Sequence, residues 1–76
     1  MKIALDFKES CKQEIVEKMI KRNFDVTDNS SFGTVWVYGL SHIDYSKGRI
    51  ELNQSGSMKF FVILLEDLDY FEIYSE

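Results

Sequence analysis

From Thr34 onward the chain repeats one arrangement: a short stretch rich in β-branched or aromatic residues, then a short polar break. The stretches are 34–40, 49–53, 59–65 and 70–74, and the breaks are 41–48, 54–57 and 66–69. Consecutive strands joined this closely pair as hairpins, so the four predict an antiparallel meander. Residues 1–7 alternate Ile3, Leu5 and Phe7 with Lys2, Ala4 and Asp6, which suits either a further half-buried strand or a lead into a helix.

One segment has a different period. Cys11, Ile15, Val16, Met19, Ile20 and Phe24 fall at helical spacing, and Ser10 with Gln13 has the form of a capping box, which predicts a helix over about 10–23. Its polar face offers Glu14–Lys18 and Glu17–Lys21 as i,i+4 ion pairs. Residues 25–33 are rich in turn formers and read as a loop, with room for a short strand at 24–27. The expected fold is therefore α+β. It is a single small domain, 1–76, with an antiparallel four- to five-stranded meander sheet and one amphipathic helix packed on one face.

Period two then sorts the strand residues. Val35 and Val37, Ile50 and Leu52, and Phe71 and Ile73 fall on one face; Thr34, Trp36 and Tyr38, Arg49, Glu51 and Asn53, and Tyr70, Glu72 and Tyr74 fall on the other. One helix covers one side of a sheet. The face bearing Trp36, Tyr38, Tyr70 and Tyr74 is left to solvent or to another molecule.

Charge narrows the identity of that molecule. Residues 1–23 carry six basic and four acidic side chains, 24–50 carry two and three, and 51–76 carry one and six, so the net −4 is concentrated in the C-terminal third. The last eleven residues alone hold five carboxylates and three aromatic rings with no base. Nucleic acid is bound by neutralising phosphates, so direct binding to it is disfavoured. A protein partner with a basic surface fits better, with Glu51, Glu66, Asp67, Asp69, Glu72 and Glu76 imitating a phosphate backbone and Trp36, Tyr38, Tyr70 and Tyr74 supplying flat anchors.

Catalytic chemistry has little to draw on. Ser41-His42-Ile43-Asp44 holds the residue types of a triad, but four adjacent loop residues do not make triad geometry, and the segment reads as a polar hairpin loop. Cys11 shares the helix stripe with Ile15 and Met19, which marks a structural thiol. One histidine and one cysteine cannot build a zinc tetrad, Glu66, Asp67 and Asp69 lack calcium-loop spacing, and the four glycines stand singly, so no cofactor is implied. Asn29-Ser30-Ser31 and Asn53-Gln54-Ser55 match the N-glycosylation pattern but read as turns. A lone cysteine and the early charges after Met1 fit a cytoplasmic protein without a signal peptide, and the longest apolar run, 60–65, is too short for a bilayer.

In size, acidity, lone cysteine and lack of catalytic signatures, the chain resembles the small inhibitors encoded by bacteriophages and mobile elements, including anti-CRISPR proteins. That resemblance implies a non-enzymatic protein that occludes a nucleic-acid-handling enzyme. The alternative expectation is a homodimer or larger homo-oligomer that uses the aromatic sheet face as its own interface.

Overall fold

The computed structural model describes residues 1–29, 33–54 and 60–75. The order is β1 (Lys2–Phe7), α1 (Glu9–Lys21), β2 (Asp25–Asn29), β3 (Thr34–Tyr38), β4 (Leu40–Ser46), β5 (Arg49–Gln54), β6 (Phe60–Leu64), a 3₁₀ turn (Leu65–Asp67) and β7 (Leu68–Tyr74). Among the described residues the fold is α+β with one α-helix, as its sequence predicts, and every strand pairing is antiparallel.

The strands form two sheets rather than one meander. A four-stranded sheet runs β2-β3-β1-β7, and a three-stranded sheet runs β4-β5-β6. Placement of β1 is the reason. Ile3 and Leu5 are fully buried on the inner side of β1, and Ala4 on the opposite side is buried beneath its neighbours' side chains, as suits a strand paired on both edges. It lies centrally, with Ile3 opposite both Val37 of β3 and Ile73 of β7. β7 therefore pairs with the first strand of the chain, and 66–69 is a corner between sheets rather than a hairpin connection.

Glycines with positive φ stand at either end of β4. Gly39 (φ 70°) separates β3 from β4 and turns the chain from one sheet into the other, with the Leu40 N–H donating to the Met1 carbonyl at 3.0 Å. Lys47 and Gly48, with φ of 47° and 80°, make a two-residue hairpin turn with both central residues left-handed. The expected 41–48 loop is thus mostly strand. Ile43 and Tyr45 stand opposite Leu52 and Ile50, and the apolar alternation they supply is what extends β4 to Ser46. The turn predicted at 54–57 falls largely outside the described residues, as do Ser30, Ser31, Ser55, Lys59 and Glu76; Gln54 closes β5.

α1 begins one residue earlier than its sequence suggests and without the Ser10 capping box: Lys8 is the N-cap and no side chain caps the turn. Tertiary contact sets the start instead. The Lys8 N–H donates to the Asp67 carbonyl at 2.9 Å, and the Lys8 ammonium donates to the Glu66 carbonyl at 2.8 Å. At the other end Asn23 is left-handed (φ 64°), with its N–H on the Ile20 carbonyl and the Phe24 N–H on the Met19 carbonyl, a Schellman ending that seals buried Phe24 against buried Met19. Glu14–Lys18 forms as predicted at 3.4 Å, whereas Glu17 accepts from Gln13 at 3.2 Å and makes no ion pair with Lys21.

Helix and small sheet both lie on the inner face of the large sheet. Lys12 reaches Asp28 of β2 at 3.1 Å, and the Arg22 guanidinium donates to the Phe60 carbonyl of β6 at 3.2 Å, so α1 is tied to one edge strand of each sheet. Ile3, Leu5, Val35, Val37, Val16, Met19, Ile50, Leu52 and Ile63 meet in one core cluster. No helix among the described residues is long and apolar enough to cross a membrane.

Candidate protein-binding face

Antiparallel register decides which side chains share the outer face of the large sheet, because residues directly opposite one another point the same way. Ala4 stands opposite Trp36 and Glu72, Thr27 opposite Trp36, Lys2 opposite Tyr74, Asp6 opposite Tyr70, and Asp25 opposite Tyr38. Trp36, Tyr38, Tyr70, Glu72 and Tyr74 are therefore gathered on one face from β3 and β7, which the period-two pattern anticipates. No described element of the chain lies over them.

The rings form a connected patch. Trp36 stacks against Tyr38 with centroids 6.3 Å apart and planes 15° from parallel, and it meets Tyr74 at 5.3 Å. β1 runs between β3 and β7, so this second contact has to cross a strand. Ala4 makes the crossing possible: a methyl group is all that β1 raises under the indole, and it is only 7% exposed there. Lys2 completes the patch, its ammonium 5.4 Å from the Trp36 centroid and 5.7 Å from that of Tyr74. Trp36, Tyr38 and Tyr74 are half-buried, while Tyr70 is 56% exposed.

Carboxylates ring the patch. Asp6, Asp25 and Glu72 share the face and outnumber Lys2. The Tyr70 hydroxyl donates to Glu72 at 2.9 Å, and this hydrogen bond to a carboxylate, reinforced by its charge, holds the phenol above its ordinary pKa. Lys2, Ala4, Asp6 and Asp25 are members of the site that sequence reasoning did not single out. The alternation of β1 carries the signal for Lys2, Ala4 and Asp6, but their neighbours depend on a pairing between the two ends of the chain.

Glu66, Asp67 and Asp69 sit elsewhere. Glu66 and Asp67 occupy the 3₁₀ corner beside the start of α1, where their carbonyls accept from Lys8 and Cys11. Asp69 is exposed at the bulge where the β1–β7 register shifts, between the Asp6–Tyr70 and Phe7–Leu68 pairs. The expected acidic aromatic hairpin is thus resolved into an acidic corner and an aromatic face joined through β7.

The other candidate chemistry is dispersed. Ser41 Oγ donates to the Asn53 carbonyl at 3.2 Å rather than to His42, while exposed His42 meets Asp44 at 2.8 Å two residues along β4. The Cys11 thiol points to the Lys8 and Asp67 carbonyls, each at 3.5 Å, and desolvation followed by the Asp67 charge raises its pKa, opposite to what a reactive thiolate requires. Among the described residues no three His, Cys, Asp or Glu side chains gather as a metal-holding group. No protein-family model, no curated protein and no solved structure matches this chain.

Proposed function

We propose that this chain is a non-enzymatic binding protein that engages a basic protein surface through the outer face of its four-stranded sheet. The observation that carries this reading is the Trp36–Tyr38–Tyr74 patch, open on the side away from the core and bordered by Asp6, Asp25 and Glu72. Large aromatic side chains supply contact area at low entropic cost, and surrounding carboxylates steer cationic partners and repel polyanions. A nucleic-acid-handling enzyme presents such a basic surface, and covering it inhibits by occlusion. The acidic corner at Glu66, Asp67 and Asp69 extends the negative field beside the face.

Self-association is the competing use of the same face, favoured by one observation: Lys2 stands among Asp6, Asp25 and Glu72, so the patch carries both signs that a two-fold interface matches against itself. Capture from nuclease-treated lysate separates the two when wild type is run beside Trp36→Ala, Glu72→Lys and the Glu66→Lys/Asp67→Lys/Asp69→Lys triple variant, with sedimentation of each purified protein. A basic prey lost from Trp36→Ala and Glu72→Lys and weakened by salt supports the proposal. A prey that all four capture equally contradicts it, and a dimer that Trp36→Ala dissociates transfers the face to self-association.

A further inference from the structure

Four strands end a sheet. β2 lies against α1 through Lys12 and Asp28, the Phe60 carbonyl of β6 accepts from Arg22, and β4 is bulged at Ser41. β7 is the edge that borders the aromatic face, and beyond its ladder to β1 no described backbone or side-chain group hydrogen-bonds to its main chain over Tyr70–Tyr74, past the bulge at Asp69.

What flanks this edge is two-sided. On the outer side stand Tyr70, Glu72 and Tyr74; on the inner side stand half-buried Phe71 and 37% exposed Ile73, with exposed Tyr45 of β4 at 5.3 Å from Phe71. A shallow cavity of about 280 Å³ opens at the N-terminal half of the strand, lined by Leu65, Leu68, Asp69, Tyr70 and Phe71. An added strand would place alternate side chains beside these two rows.

Resting on the binding role proposed above, we infer that β7 receives an extended segment of the basic partner as a fifth strand of the large sheet, and that basic residues alternate with apolar ones in that segment. Its Lys or Arg side chains lie beside Glu72 between the tyrosine rings, and its apolar side chains cover Ile73 and Phe71 and enter the cavity at Leu68. Main-chain hydrogen bonds hold the segment while the alternation selects it. A second copy of β7 is the poorer occupant: the strand carries Asp69 and Glu72 and no base, so self-pairing sets acid against acid.

The probe is a peptide of alternating lysine and valine as long as β7, added to the folded protein and followed by amide hydrogen exchange and NMR shifts. The expected result is slowed exchange at alternate amides of β7, at least roughly tenfold weaker binding when alternate peptide nitrogens are methylated, and a switch of preference to alternating glutamate and valine in Glu72→Lys. Equal affinity for the methylated peptide, with shifts at Trp36 and none in the exchange of β7, would overturn strand addition and leave face binding standing. Absence of binding, or protection of β7 that grows with protein concentration alone, would overturn it too. Loss of lysate capture in Trp36→Ala reports on the face independently of either.

Discussion

The two faces of the four-stranded sheet are built from the same strands, residue by alternate residue, yet they are held in different ways. On the inner face Ile3, Leu5, Val35 and Val37 are each 0% exposed, locked beneath α1 and the small sheet. On the outer face Trp36 touches Tyr38, Tyr74 and Lys2, and the three rings stay half-exposed. Burial on the inner face specifies the fold, since a one-residue slip would bring Lys2 and Asp6 of β1, or Trp36 and Tyr38 of β3, in place of these aliphatic side chains. The outer face needs only strand-compatible side chains. Its concentration of rings and carboxylates is the observation on which the proposed partner rests.

Truncation should separate the faces most sharply on the inner side. Leu5→Ala opens a cavity in the core and should cost about 2–5 kcal/mol, a large share of the ~4–11 kcal/mol expected for a chain this short, read as a steep fall in urea midpoint. Trp36→Ala removes a larger side chain for less stability, about 1–2 kcal/mol from its ring and cation contacts, but should weaken partner binding by about 2 kcal/mol or more. Equal stability losses for the two would erase the distinction. Ala4→Leu probes the crossing point: a branched side chain under the indole should part Trp36 from Tyr74 at a cost of about 1–3 kcal/mol and shift the Trp36 emission, with the inner face unaltered by NMR.

The smallest effect concerns protons. Glu72 raises the Tyr70 phenol, so the folded chain favours the protonated form. The associated stability is present below about pH 10, the ordinary tyrosine value, and is lost as pH rises through the raised value. Because Tyr70 is exposed, the change in stability should be slight, but the titration itself is visible. Glu72→Gln should return Tyr70 towards its ordinary pKa, followed by ultraviolet absorbance. An unshifted Tyr70 titration in Glu72→Gln would show that the 2.9 Å contact is not populated in solution.

Much of this was legible in the sequence, and the misses share one cause. Helical spacing located α1, and period two placed Trp36, Tyr38, Tyr70, Glu72 and Tyr74 on one face, because both signals are local. Long-range pairing is not local. Nothing between residues 1 and 7 announces that Lys2 will meet Tyr74, so the central position of β1, the division into two sheets and the separation of Glu66 and Asp67 from the aromatic face were out of reach. Lys47-Gly48 hid a hairpin because the pair lacks the usual Asn-Gly or Asp-Gly signal, although its backbone adopts the same left-handed turn. Ser10 had the right neighbours for a cap and lost to a tertiary bond from Lys8 to Asp67.

Trp36 is the only tryptophan in the chain, so its fluorescence reports directly on the outer face. The decisive measurement is acrylamide quenching of Trp36 in the free protein and again with the captured basic partner bound. Accessible emission that becomes blue-shifted and protected on binding is the predicted result. Emission and quenching that stay unchanged while the partner is demonstrably bound would place the interface elsewhere and contradict the account.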